Sequence, residues 1–145
     1  MISTRGRVVT VAYYALVDSK RFSVQNSARI VVPWPGETGG PVDCVDDEGN
    51  VLPLFLDHAD ILGLAVKRLR GKLDYTPVGF QLLPVEFTLR ELQQIHEAVR
   101  CEELNKDSFR RRMLASGLLE ATGARESDVS YRPAELYRFT RRSAT

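Results

Sequence analysis

The chain has 145 residues, enough for one compact domain or two small ones with a buried core. Its 43% hydrophobic and 27% charged content is that of an ordinary globular protein, and no apolar run reaches the length of a membrane span, so a membrane partner is not expected. The net charge of +1 excludes a uniformly basic or acidic chain, but it hides a skew. Residues 1–76 carry 9 Lys and Arg against 9 Asp and Glu, whereas residues 105–145 carry 9 against 5, which points the C-terminal part toward an anionic partner.

In chain order, "MISTRGR" has no hydrophobic stretch behind its basic residues, so no signal peptide is expected. "RVVTVAYYALV", Arg7 to Val17, is nearly continuous in β-branched and aromatic residues and predicts a central strand covered on both faces. "ARIVVPW" predicts a second strand that Pro33 and Pro35 terminate, and "PGETGGP" reads as a loop. In "VDCVDDEGNVLPLFL" the Asp46–Asn50 segment supplies turn chemistry between two apolar pieces, the pattern of a hairpin. From "DHADILGLAVKRLRGKL" a helix is expected, capped by Asp57, with Ile61, Leu64, Ala65 and Leu69 on one face. Its terminal Lys67, Arg68, Arg70 and Lys72 would complement the helix dipole. A domain boundary is placed near Thr76–Pro77.

"FQLLP" suits a brief strand closed by Pro84. "FTLRELQQIHEAVR" has the marks of a well-delimited helix. Thr88 and Glu91 have the spacing of a capping box, Phe87 and Leu92 that of a hydrophobic staple, and Leu89, Leu92, Ile95 and Val99 make an apolar face. After the turn "CEEL", Asn105 can cap a further helix that ends near Ser116, with Gly117 beyond it. Two strands around the polar loop "ARESDVSYRP" would then form a wing that ends in Arg138, Arg141 and Arg142.

The stretch "NKDSFRRRM" raises the functional question. On a helical wheel Phe109, Met113 and Leu114 share the apolar side, with Arg110 between them in angle and Ser108, Arg111, Arg112 and Ala115 opposite. Arg110 is thus expected to ion-pair internally, with an acidic residue of the preceding helix as partner. Arg111 and Arg112 alone would read as a solvated face. Two helices joined by a short turn and followed by a basic wing favour a winged helix-turn-helix instead, in which the second helix enters the major groove of double-stranded DNA.

Other constellations are weak. His58 and His96 lie in different helices without further ligands, and the expectation is a cap neighbour and a surface histidine. Cys44 falls in a strand and Cys101 at a helix end; without C-x-x-C spacing they fit reduced thiols in a cytoplasmic protein, a single bridge remaining open. Asp43, Asp46, Asp47 and Glu48 form a solvated turn or, less in keeping with the pattern, a cation loop. No P-loop, G-x-G-x-x-G or G-x-S-x-G motif occurs, and no cofactor or metal is expected.

Taken together, "DHADIL", "FTLRELQ" and "FRRRM" in this order, within "LFLDHADILGLAVKRLRGKLDYTPVGFQLLPVEFTLRELQQIHEAV" and "NKDSFRRRMLASGLLEATG", resemble the Nudix-related transcriptional regulators of NAD metabolism. The resemblance runs from Leu54 to the end and extends to "RGRVVTVAYYALV". It implies an α+β chain: a partial Nudix-like α/β remnant over residues 1–76, then a winged helix-turn-helix domain over residues 77–145. It further implies a dimeric DNA-binding repressor whose Nudix-like part senses ADP-ribose or a related NAD metabolite. Asn105, Lys106, Ser108, Arg111 and Arg112 become recognition-helix residues by that resemblance, and Arg125, Arg132 and Arg138 become wing or phosphate contacts.

The departure from the family's pattern concerns catalysis. A Nudix hydrolase needs G-x5-E-x7-R-E-U-x-E-E-x-G-U (U, a bulky aliphatic residue), whose glutamates gather Mg²⁺ around a pyrophosphate, and this sequence holds no such segment. In the family's layout the segment lies upstream of Arg5, so about half of a Nudix-like domain is expected to be lacking and no enzymatic activity is expected. A strand as apolar as Val8–Val17 with an open edge would pair with a second copy, which predicts a homodimer. The competing readings are a relative of an ADP-ribose pyrophosphatase-type hydrolase, inactive in this chain, and a winged helix used to bind protein.

Overall fold

The computed structural model describes residues 6, 7, 9–18, 20, 23 and 25–141. A small antiparallel sheet comes first, β1 (Arg29–Val31), β2 (Asp43–Val45) and β3 (Val51–Leu52), with β2 in the middle. Helices α1 (His58–Lys72), α2 (Leu89–Arg100) and α3 (Lys106–Ala115) follow. An antiparallel pair, β4 (Leu119–Arg125) and β5 (Glu135–Phe139), completes the fold.

The hairpin turn forms as its residues dictate. Asp46 accepts hydrogen bonds from the backbone N–H and the side-chain amide of Asn50 and from the backbone N–H of Glu48, which holds its carboxyl below the usual carboxylate range. The acidic cluster is therefore occupied with its own turn, and no metal-binding group of acidic, His or Cys side chains occurs among the described residues.

In the N-terminal part, α1 packs against the loop after β1. Trp34 is buried and its indole donates to Pro41 O at 3.1 Å, while Val42 N donates to Ala59 O at 3.2 Å. A Cβ at Gly63 would fall inside the carbonyl oxygen of Gly40, so this crossing tolerates only glycine. Of the glycines of "PGETGG", Gly40 supplies the carbonyl that Gly63 packs against.

Several expectations need correction. Residues 9–18 form no strand and are largely exposed, Val9 at 85% and Tyr13 at 92% (Val8 lies outside the described residues). Apolarity alone does not make a strand, which also needs a partner backbone, and none of β1 to β3 runs beside this segment. "FQLLP" is a series of turns, with Phe80 N bonded to Pro77 O and Leu82 N to Gly79 O, since those local bonds satisfy the backbone first. Asp57 precedes α1 but its side chain makes no cap bond, its backbone (φ −96°, ψ 14°) lying outside the extended region a cap requires. Leu64 is exposed, because α1 is covered along one narrow stripe only.

The C-terminal part holds the larger core: Phe87, Leu92, Phe109, Met113 and Tyr137, with Leu83, Leu89, Leu104, Leu119 and Phe139 packed around them. Thr88 caps α2 by accepting from Glu91 N at 3.2 Å, and Phe87 and Leu92 meet in the core as a staple pair should. Phe87 also exchanges both backbone hydrogen bonds with Tyr137, adding a third element to the wing sheet. Between Ala121 and Arg125 the β4–β5 register slips, and Gly123 (φ 81°) takes up the irregularity.

Candidate nucleic-acid interface

Helices α2 and α3 are joined by a tightly fixed turn. Cys101 ends α2 in the left-handed conformation, Gln93 Nε2 donates to Leu104 O at 2.9 Å, and Leu104 N donates to a Glu97 carboxylate oxygen at 3.3 Å. Asn105 then caps α3, its side-chain oxygen accepting from Ser108 N at 2.9 Å. The second helix is thus aimed by the first, with Phe109 and Met113 turned into the core.

At about 100° per residue, Arg111 stands about 180° from the midpoint of Phe109 and Met113, facing solvent. Arg110 and Arg112 sit about 80° to either side of that midpoint and are tied to opposite flanks. Arg110 Nη2 is 3.6 Å from Glu135 Oε2 on β5, and that same oxygen accepts from the Tyr137 hydroxyl at 3.1 Å. Arg112 Nε is 3.2 Å from Asp74 Oδ1 in the turn after α1, with its guanidinium 5.8 Å from the Phe109 ring centroid. Arg110 therefore pairs with the wing and not with the preceding helix, and it does so at the surface. Leu114 is exposed, not part of the apolar face.

The wing carries the remaining basic candidates. Arg125 Nη1 donates to Pro133 O at 3.1 Å across the loop, Arg138 pairs with Glu120 on the neighbouring strand, and Arg132 is exposed beside the exposed Tyr131. Arg141 is exposed, and Arg142 lies outside the described residues. Ser108 and Arg111 lie on the side of α3 away from the core, Lys106 is exposed at its first turn but stands about 40° from the Phe109–Met113 midpoint, and Arg125, Arg132 and Arg138 are distributed along the hairpin.

His96 is a residue the sequence reading misjudged. Instead of lying at the surface, it is 2% exposed beneath α3, edge-on to Phe109, and its Nδ1 has no hydrogen-bond partner. Burial, set against the nearby Asp74 charge that favours protonation, pushes its pKa down to about 4. The signal was its spacing four residues after Leu92, which puts it on the buried face of α2. Arg70 was missed as well. It is buried, donating through Nε to Val99 O at 2.9 Å and through Nη1 to Gly36 O at 2.8 Å and Trp34 O at 3.4 Å.

Two helices, a short fixed turn, a basic second helix and a two-stranded wing define a winged helix-turn-helix domain. Residues 79–139 match the NrtR DNA-binding winged helix domain. The C-terminal domain of the chain is thus similar to the DNA-binding domain of NrtR regulators.

The chain is 38% identical over 135 residues to the ADPR responsive transcriptional repressor NtrR of Acinetobacter baylyi, covering 93% of this chain. It spans about half the length of that curated relative (50%). Two crystal structures of Shewanella oneidensis NrtR, one complexed with a 27mer DNA, are 38% identical to it and cover 61% of this chain. The match takes in 40% and 39% of those chains, at TM-scores of 0.49 and 0.48.

Proposed function

We propose that this chain is a DNA-binding transcriptional repressor of NAD-metabolism genes, responsive to ADP-ribose or a related metabolite and without hydrolase activity. The observation that carries the DNA-binding part is the outward placement of Arg111 on a helix whose flanks are both tied down, within a domain of the NrtR DNA-binding type. Asn105, Lys106, Ser108 and Arg111 would meet base edges and phosphates in the major groove. Arg125, Arg132 and Arg138 would follow the backbone from the wing. In this reading residues 1–76 are part of a Nudix-like domain and residues 77–145 the reading head. The metabolite response is supported by the name of the Acinetobacter baylyi relative, which covers nearly all of this chain.

A homodimer belongs to the same proposal. Val9, Val11, Tyr13, Leu64 and Tyr75 leave an apolar surface on the N-terminal part that a second copy would cover. A monodisperse monomer in light scattering at ~50 μM would remove that element.

The test is a fluorescence-anisotropy titration of a labelled duplex pool with the purified chain at several salt concentrations, with and without ADP-ribose. Binding that weakens linearly with log salt supports the reading, as does release by the metabolite. No binding at low salt rejects it.

A further inference from the structure

The end of α1 touches both helices of the helix-turn-helix, at two points one turn apart. Arg70 reaches the last turn of α2, where its Nε donates to Val99 O. That carbonyl is among those a helix end leaves without an intrahelical partner, and it carries part of the dipole's negative charge. The same guanidinium is held from the other side by the carbonyls of Trp34 and Gly36 and lies 5.1 Å from the Trp34 ring centroid. No carboxylate among the described residues forms an ion pair with it, so four groups from two parts of the chain share one buried charge. Four residues on, Asp74 reaches the recognition helix through Arg112.

The two contacts differ in kind. Arg70 is buried and makes the base rigid, whereas the Asp74–Arg112 pair is about half exposed and adds little stability of its own. What the pair fixes is an angle. Arg112 lies on the α1 side of α3 and Arg110 on the wing side, and each is held by a carboxylate, so α3 cannot rotate about its axis without breaking one of them. A rotation would carry Arg111 and Ser108 away from a groove in which contacts are set to within a fraction of a base step.

We propose that Asp74 is a positioning residue for duplex recognition. It holds Arg112 as a strut that sets the rotation of α3 from a helix end immobilised by Arg70, and Arg112 is thereby withheld from the phosphates. This rests on the DNA-binding reading above and assigns Arg112 a different part in it.

The experiment uses the full chain, a duplex selected from a randomised pool by the wild type, and a scrambled duplex of equal length. The double variant Asp74→Asn/Arg112→Gln leaves the net charge unchanged and breaks the strut. Its affinity for the selected duplex is expected to fall roughly tenfold, comparable to losing one base contact. The affinity for the scrambled duplex, the salt slope and the melting temperature are expected to stay at wild-type values. Asp74→Glu, which keeps the carboxylate, should retain most of the discrimination.

A salt slope reduced by about 0.9, with both duplexes weakened alike, would make Arg112 a phosphate contact and overturn the proposal. So would unchanged affinity for both duplexes, or a lowered melting temperature that weakens them together. If the wild type enriches no duplex at low salt, the DNA-binding reading itself fails.

Discussion

The imidazole of His96 on α2 stands edge-on to the Phe109 ring of α3, with centroids 5.1 Å apart and planes at 79°. With Nδ1 buried and unpartnered, a second N–H on the charged ring would go unsatisfied, so the site favours the neutral imidazole. The folded-state pKa of about 4 lies below the ordinary value of 6.5, so the unfolded chain binds the extra proton first. Stability is therefore full above about pH 6.5 and falls as pH drops through the window down to about 4. The loss across that window is about 3 kcal/mol at most. His96→Leu should abolish this part of the acid dependence and cost little at neutral pH, since it removes an unsatisfied polar atom. Urea unfolding at pH 7.5 and pH 5 checks both, and equal acid sensitivity in the two proteins would refute the assignment.

Gly63 makes a second prediction. Its Cα faces the Gly40 carbonyl, and a methyl group there meets backbone atoms that have no rotamer to yield. Gly63→Ala normally gains helix propensity, yet here it should destabilise the N-terminal part by about 2 kcal/mol through overpacking. Chemical denaturation with an unchanged m-value would register the loss. A variant as stable as wild type would mean that α1 and the 39–41 loop are not in contact in solution.

The sequence announced the helices of the C-terminal part because their signals are local. Thr88 and Asn105 cap, Phe87 and Leu92 pair, Gly117 follows the end of α3, and each of these acts within a few residues. "RVVTVAYYALV" misled because its fate depends on which backbone lies next to it, and no local rule supplies that. The arginine triplet was half legible. Its wheel set Arg111 apart from the core, but the carboxylates that hold Arg110 and Arg112 come from β5 and from the turn after α1, 25 and 38 positions away in the chain.

Arg70 was the least legible of all, and it carries a third prediction. In "KRLRGK" it looks like one member of a solvated basic run at a helix end, whereas Lys67 and Arg68 do face solvent. What distinguishes Arg70 is long-range: carbonyls at residues 34, 36 and 99 converge on one guanidinium. Arg70→Ala leaves those acceptors unpaired and should cost about 3 kcal/mol, while Arg68→Ala should cost almost nothing. Arg70→Lys should rescue only partly, because an ammonium cannot reproduce the planar fork that reaches both sides. Parallel urea melts of the three variants would decide it, and equal midpoints for Arg68→Ala and Arg70→Ala would contradict the clamp.

Arg111 closes the argument about the triplet. Three consecutive arginines on one turn repel one another, and two of the three are offset by carboxylates on either flank. Arg111 has no such partner among the described ion pairs and projects opposite the core, so its charge is left for a ligand. Arg111→Ala should leave the melting temperature within the small range of ordinary surface substitutions, roughly 0.5 kcal/mol either way. Duplex affinity should nevertheless fall by about tenfold or more. If the residue meets a phosphate, the salt slope drops by about 0.9 and all duplexes weaken together; if it meets guanine, the slope holds and discrimination at one position relaxes. Anisotropy titrations across salt separate these two, and an unchanged affinity at low salt would mean that the outward arginine is simply solvated.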